Sequence, residues 1–194
     1  DLVGRRVSLG AAGSGTAVAA LNILGALGVE EQDISAAYLS FAETTSALKD
    51  GTIDAGFVVG GLGIAAVTEL SVTRDLHLIT LSENEVAAIN SAHNAYSGYQ
   101  IPAATYNGID EPVMALGIWS AVVVHEDMPT QLAYQMVCTL FEHRQALLKV
   151  SPVARDLTVS NIGALKAVPL HLGSRRYIEH VAEGRPTDCV AGYE

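Results

Sequence analysis

The sequence predicts an α/β fold in which helices pack on a mostly parallel β-sheet. Short apolar stretches of strand length alternate with longer stretches of helical periodicity, and loops of small residues separate them. The chain has 194 residues, of which 49% are hydrophobic, enough for one sizeable core or two small lobes. Neither an internal repeat nor a low-complexity tract interrupts this alternation, which is typical of an α/β layer architecture.

The alternation is clearest in the first half of the chain. Gly28 and Gly51 follow two of the predicted helices, as expected of residues that end a helix with a positive φ. Ser82 and Glu85 form a capping box at the start of a third. The predicted elements are a strand over 7–9, a helix over 17–27, a strand over 34–39, a helix over 43–49, a strand over 53–59, a helix over 62–70, a strand over 76–80 and a helix over 83–90.

The second half is less regular. Residues 91–107 are polar and aromatic, and we expect an irregular segment there. The β-branched, apolar stretch over 113–125 predicts a long strand. The remaining expected features are a helix from Pro129 to about residue 148, a turn over 161–163, a Pro-Leu-His-Leu-Gly segment over 169–173, a helix through Tyr177 to about Glu183, and a loose tail over 184–194.

The charge excludes several kinds of partner. The formal net charge is −10 and the pI is about 4.9, so nucleic acid and anionic membrane surfaces are poor partners. The longest apolar run, over 56–67, is shorter than the roughly 20 residues that a membrane span needs. The chain opens directly before the first predicted strand, and we therefore expect an N-terminal part to be missing.

The two cysteines, Cys138 and Cys189, are too few for a disulfide scaffold and lack the paired spacing of a zinc site. We favour two unbridged thiols, while a single bridge remains open if the protein is exported.

A loop of small residues after the first strand is the first candidate site. Gly13, Ser14, Gly15 and Thr16 open a helix, where unpaired backbone N–H groups and the positive end of the helix dipole favour an anion. The motif is neither a P-loop nor a dinucleotide fingerprint, because the required Lys and third Gly are absent. Simple N-capping by Ser14 or Thr16 explains the pattern equally well.

A second candidate is Gly60-Gly61, at the next strand-to-helix junction. In a parallel sheet it lies on the same carboxyl edge as the first loop, and two such junctions form a crevice. A tight turn is the simpler explanation of the glycine pair. Tyr96, Tyr99 and Tyr106 cluster in the segment expected to be irregular, either to close over a ligand or to anchor a loop. We slightly favour the second role and keep Tyr106 among the candidate ligand-binding residues.

No catalytic arrangement is evident, so we expect a protein that is not an enzyme. The histidines show no i, i+4 pair of a metal-binding helix, and no G-x-S-x-G nucleophile elbow occurs. Asp54 and Asp110 are isolated carboxylates without an evident partner. Nucleophile, base and orienting group are not assembled anywhere in the sequence, and no cofactor motif is present.

Five short motifs occur in order along the chain. They are D-L-x-G-x-R-V-S-x-G-x-x-G-S-G-T over 1–16, L-K-D-G-x-I-D-A over 48–55, F-x-V-G-G over 57–61, P-A with Y-x-G-x-D over 102–110, and V-P-L-H-x-G with a following Tyr over 168–177. Together they resemble the TAXI family, the solute-binding proteins of tripartite TRAP-type transporters, also met as bacterial immunogenic proteins. The resemblance extends to about Glu183.

This resemblance implies a type II periplasmic-binding-protein-like fold, an α/β clamshell that closes on its ligand. The chain would contain the second lobe and the C-terminal part of the first, with most of the first lobe missing. It would comprise a ligand-binding α/β lobe over 1–112, a hinge-crossing strand with C-terminal helices over 113–183, and the tail over 184–194. A periplasmic or otherwise extracytoplasmic location follows from the same resemblance.

The ligands and partners are also implied by the resemblance. Family members bind glutamate, glutamine, 2-oxoglutarate or related small carboxylates, and they deliver them to membrane subunits of a TRAP transporter. Ser14, Gly15 and Thr16 would hold the carboxylate, while Gly60 and Gly61 would line the cleft. An exposed lobe interface would favour a homodimer.

The chain departs from the family pattern at Leu172, where Pro is common, and at Ser174, where Ala is common. Two other functions stay open. One is an intracellular effector-sensing domain on the same fold, and the other is a small α/β enzyme that binds a phosphoester at residues 13–16.

Overall fold

The computed structural model describes residues 2–162 and 168–190. Within these ranges the chain forms two compact units, one that reaches to Ile118 and one that begins at Trp119. The first unit combines strands and helices, and helices dominate the second. The strands and helices are β1 (Arg6–Ser8), α1 (Gly15–Ala26), β2 (Ser35–Ala37), α2 (Phe41–Lys49), β3 (Ala55–Gly56), α3 (Ala65–Thr73), α4 (Glu83–Ala92), β4 (Tyr96–Ile101), β5 (Val113–Ile118), α5 (Thr130–Glu142), α6 (Arg144–Val150), α7 (Val159–Ile162) and α8 (Leu172–Ala182).

A three-stranded parallel sheet with the order β2-β1-β3 organises the first unit. β1 pairs with β2 from Arg6 opposite Ser35, and with β3 from Val7 opposite Ala55. The predicted α/β class with a parallel sheet is therefore confirmed. Its core packs the central strand against the first helix, and its buried members are Val7, Leu9, Ala20, Leu24 and Ile34.

Local signals in the sequence placed several helix ends correctly. α1 ends at Ala26, and Gly28 has a φ of +75°. α2 ends at Lys49, and Gly51 has a φ of +68°. The Ser82 hydroxyl accepts a hydrogen bond from the N–H of Glu85, whose carboxylate accepts one from Ser82 N, and this confirms the capping box of α4.

Two predicted strands are wrong in extent. The strand predicted over 53–59 forms a ladder only over Ala55–Gly56, because residues beyond Phe57 turn away toward α3. Residues 76–80 form no strand. In that segment Leu76 and Leu78 pack against the cluster around Val67, and only the next residue, Leu81, donates a backbone hydrogen bond to β5.

The strand β4 and its antiparallel pairing with β5 were not predicted from the sequence. β4 lies inside the segment predicted to be irregular, and its residues pair with β5 from Tyr96 opposite Ile118 to Ile101 opposite Val113. This register also explains why the strand predicted over 113–125 stops at Ile118. Tyr96 is the first residue of β4, so β5 has no partner on that strand beyond Ile118.

The second unit is held together by contacts between α5 and α8. Gly173 leaves no room for a side chain against the backbone of Thr130 and Tyr134. The predicted helix over 129–148 is divided at His143, whose φ of −95° and ψ of 13° end α5 before α6 begins. α8 begins before Tyr177, as early as Leu172. Of the turn predicted over 161–163, the first two residues belong to α7, and residue 163 lies outside the described ranges.

Cys138 and Cys189 form a disulfide, so the expectation of two unbridged thiols is wrong. Their Cα atoms are 5.2 Å apart although 51 positions separate them in sequence. Cys138 lies in the buried cluster with Tyr134 and Tyr177, and Cys189 packs against that cluster from the segment after α8. The disulfide therefore attaches this part of the tail to α5.

None of the helices in the described part of the chain is both long and apolar enough to cross a bilayer.

Candidate ligand-binding site

The carboxyl edge of the parallel sheet brings the two glycine loops next to each other. β1 is the central strand, and the chain leaves it through α1 to β2 on one side, then through α2 to β3 on the other. In open parallel sheets, ligands bind in the crevice where the connections diverge to opposite sides. Phe57 N donates to Ser8 O at 2.8 Å, so the loop after β3 starts directly beside the end of β1.

The loop after β1 is shaped by a close approach at Gly10. Its φ is +99°, and a Cβ atom there would lie 2.7 Å from both Cβ and Cγ2 of Thr16. Any side chain at this position would push the first turn of α1 away from the strand. Gly10 therefore fixes where the helix begins relative to β1.

Ser14 is the N-cap of α1, as the simpler interpretation of the motif predicted. Its Oγ accepts a hydrogen bond from Ala17 N at 3.1 Å. Among the described residues, the backbone N–H groups of Gly15 and Thr16 have no hydrogen-bond acceptor. The helix thus offers two free donors at its positive end, where an anion is favoured.

Thr16 is only 6% exposed, and its Cγ2 methyl lies against Gly10. In the described part of the chain its hydroxyl has no hydrogen-bond partner, and the hydroxyl oxygen remains accessible to solvent. The hydroxyl therefore adds a third donor beside the two N–H groups.

Gly60 and Gly61 lie in the second loop, between β3 and α3. A Cβ atom on Gly60 would be 2.7 Å from Cδ1 of Ile64, so the loop folds back on itself at this point. Val59 packs against the cluster that contains Ala19 of α1, whereas Val58 packs against the cluster around Val67. The second loop is thereby anchored to α1 on one side and α3 on the other.

Tyr106 anchors this second loop. It is 7% exposed, and its hydroxyl accepts a hydrogen bond from Gly63 N at 3.2 Å. Of the two roles considered for the tyrosines, the structure supports loop anchoring for Tyr106. Tyr96 is also anchored, since its hydroxyl accepts a hydrogen bond from Asn22 Nδ2 at 3.3 Å.

A buried hydroxyl pair beneath this edge was missed from the sequence. Ser8 Oγ and Thr44 Oγ1 are 2.7 Å apart, and both residues are fully buried. A Cβ on Gly56 would be 2.5 Å from Cγ2 of Thr44, so glycine is needed there for α2 to reach β1. The pair is visible in sequence only as one serine within an apolar strand and one threonine within a helix.

Asp54 is not an isolated carboxylate, contrary to expectation. Its oxygens accept hydrogen bonds from Arg6 Nε, Nη2 and backbone N at 3.0, 2.7 and 2.9 Å. The hydrogen bonds of the guanidinium, reinforced by the backbone N–H, hold the pKa of Asp54 well below its usual range. Because Arg6 begins β1 and Asp54 precedes β3, the pair lies at the amino edge of the sheet, away from the glycine loops.

His171 and His180 make hydrogen bonds that support the second unit. His171 caps α8 by accepting a hydrogen bond from Gly173 N, and its Nε2 lies 3.2 Å from Met128 O. His180 Nδ1 lies 3.2 Å from the hydroxyl of buried Tyr134. Across residues 2–162 and 168–190, no three His, Cys, Asp or Glu side chains come together as a metal site.

One comparison with known protein families identifies a relationship. The model of the NMT1-like family matches residues 1–180, which include both glycine loops, the antiparallel pair and most of α8. That family is of the periplasmic-binding-protein type, with which the parallel sheet and flanking helices agree, and it indicates solute binding in general. The chain belongs to the NMT1-like family.

Proposed function

From this family membership we propose that the protein is an extracytoplasmic solute-binding protein that captures a small carboxylate. The proposed ligands are glutamate, glutamine, 2-oxoglutarate or a close relative. The proposed partners are the membrane subunits of a TRAP-type transporter, to which the bound solute passes unchanged. The chain acts by binding and release and carries out no catalytic step.

The donors at the start of α1 are the observation that carries this proposal. The N–H groups of Gly15 and Thr16 and the hydroxyl of Thr16 lack acceptors among the described residues. A carboxylate accepts several hydrogen bonds at once and gains from the positive end of a helix that is 12 residues long. Donors without an acceptor in the described part of the chain favour a ligand that brings its own acceptors.

The charge pattern of the two loops favours a carboxylate over a phosphoester. Residues 9–16 and 57–64 contain neither Lys nor Arg. Phosphate sites commonly add such a cation to the backbone donors. A single carboxylate charge is satisfied by neutral donors and the helix dipole alone.

The disulfide supports the proposed compartment. Bonds such as Cys138–Cys189 persist in oxidising environments and are rare in the reducing cytosol. This observation favours a solute receptor outside the cytoplasm over an intracellular effector-sensing domain.

Substitution of Gly15 tests the proposal. An added Cβ at Gly15 meets no atom within 4 Å, so Gly15→Asp fits sterically and leaves the thermal midpoint nearly unchanged. Its carboxylate would occupy the donors and repel an anionic ligand, so we expect binding to be lost. Gly15→Ala, which adds only a methyl group in the same open space, is the matched control and should retain most of the affinity.

The measurement is a thermal-shift series followed by calorimetry. The panel contains glutamate, glutamine, 2-oxoglutarate, succinate, phosphate and ATP, each tested on the wild type and both variants. A ligand at about a hundred times its Kd adds about 2.7 kcal/mol, which raises the midpoint by several degrees. A shift with phosphate or ATP alone, or unchanged carboxylate affinity in Gly15→Asp, would contradict the proposal.

A further inference from the structure

We propose that Tyr106 is a positioning residue for this site, because its hydroxyl holds the loop after β3 in the conformation that receives the ligand. The inference rests on the proposed function and goes beyond it. It assigns to Tyr106 an indirect role through the backbone of Gly63, in place of direct contact with the ligand.

The loop that contains Gly60 and Gly61 has few fixed points. Within the described ranges, the backbone N–H groups of residues 60–62 donate no hydrogen bond. After Phe57 N, which donates to Ser8 O, the next described loop amide with an acceptor is that of Gly63, which donates to the Tyr106 hydroxyl at 3.2 Å. Gly63 has a φ of +77°. Glycine populates positive and negative φ about equally, so the residue type alone does not fix this conformation. The tyrosine hydroxyl therefore selects one loop conformation among several.

The segment that carries Tyr106 is itself firmly attached to α3. Asn107 Nδ2 donates to Ser71 O at 3.0 Å, and Asn107 N donates to Ser71 Oγ at 3.3 Å. The turn that contains Tyr106 is closed by a bond from Ala104 N to Ile109 O at 2.7 Å. Because Ser71 is almost fully buried, these bonds are shielded from water.

The ring and the hydroxyl of Tyr106 have separate roles. The ring is buried with Val67 and Ile109, and this contact supports the stability of the first unit. The hydroxyl accepts the Gly63 bond, which holds the loop. Removal of the hydroxyl alone therefore loosens the loop and keeps the packing, which makes Tyr106→Phe an informative variant.

The control is a second buried tyrosine in the same unit. Tyr96 is 5% exposed, and its hydroxyl accepts a hydrogen bond from Asn22. Asn22 lies seven residues beyond Gly15 on α1, a distance of about 10 Å along the helix. Tyr96→Phe thus removes the same kind of bond at a position whose hydroxyl bonds to α1 and not to Gly63.

The experiment compares the two variants with the wild type by calorimetry, with L-glutamate and 2-oxoglutarate as probes. Loss of one hydrogen bond that orders the loop should weaken binding about fivefold in Tyr106→Phe. Tyr96→Phe should bind as tightly as the wild type, while both variants lose similar thermal stability. Amide hydrogen exchange at Gly63 should accelerate in Tyr106→Phe alone.

The outcomes separate this inference from the proposed function. If the wild type binds a probe and Tyr106→Phe binds it equally well, the positioning role is wrong and the binding function stands. Equal loss of affinity in both tyrosine variants would also overturn the role, because the effect would then be one of general stability. If the wild type binds neither probe, both this inference and the carboxylate function on which it rests are refuted.

Discussion

Opening the disulfide between Cys138 and Cys189 should markedly destabilise the second unit. The bond joins a buried position on α5 to the segment after α8, and it closes a loop that contains α6, α7 and α8. Cys189→Ser is the most direct change. It leaves the buried Cys138 side chain in its cluster with Tyr134 and Tyr177, so the packing in that cluster is retained.

The expected loss follows from the length of the closed loop. With a sequence separation of 51, the chain-entropy relation gives about 14 cal/mol/K, or about 4 kcal/mol at 25 °C. The unfolded chain gains this freedom when the bond is opened, whereas the native contacts are nearly unchanged. A loss of that size is a large fraction of the roughly 5–15 kcal/mol that stabilises a typical domain.

Urea unfolding monitored by far-UV circular dichroism measures the loss, because helices dominate the second unit. The oxidised wild type is compared with the reduced wild type and with Cys189→Ser, each with and without reductant. The reduced wild type and the variant should unfold at the same, lower urea concentration, and reductant should not change the variant further. If Cys189→Ser unfolds together with the oxidised wild type, the crosslink does not stabilise the unit and the argument fails.

Two further predictions concern the first unit. Thr44→Val keeps the shape of the side chain but leaves the buried Ser8 hydroxyl without its 2.7 Å partner, so urea unfolding should show that the free energy of unfolding falls by about 1–3 kcal/mol. The double variant Ser8→Ala with Thr44→Val should recover part of this free energy. An additive further loss in the double variant would contradict the pairing. The hydroxyl and backbone N–H of Ser82 hold the pKa of Glu85 below the ordinary value of a glutamate, so this carboxylate stabilises the fold above that ordinary value and less as the pH falls through its folded pKa. Thermal midpoints of the wild type and Glu85→Gln should therefore converge as the pH is lowered from neutrality to below the ordinary pKa of a glutamate, and a constant difference would refute the role of the charge.

Features set by neighbouring residues could be predicted from the sequence. The Ser82–Glu85 capping box and the glycines at 28 and 51 act within one or two helical turns, so their patterns suffice. The two glycine loops were also placed on one sheet edge correctly, because parallel strands bring their carboxyl ends together.

Features that depend on distant residues could not be predicted in this way. The Ser8–Thr44 pair spans 36 positions, and the bonds between Arg6 and Asp54 span 48. Each of these residues has an ordinary neighbourhood in sequence, and only the fold brings the partners together. The disulfide was misjudged for the same reason, since only the fold shows that Cys138 and Cys189 lie close enough to bond.

The strand limits illustrate the same dependence. The stretch over 113–125 is predominantly apolar on both sides of Ile118, and its composition gives no reason for a strand to stop there. The limit is set by β4, whose first paired residue is Tyr96. A strand ends where its hydrogen-bonding partner ends. The partner here, β4, lies in a segment whose polar composition did not predict a strand.

The position of the Arg6–Asp54 pair has a consequence for how the sheet can change over evolution. The pair joins the edge strand β3 to the central strand β1 at their amino ends, whereas both glycine loops leave from the opposite ends. This link between the two strands therefore uses no residue of either loop. Mutations that change the loops for a different solute leave this link in place.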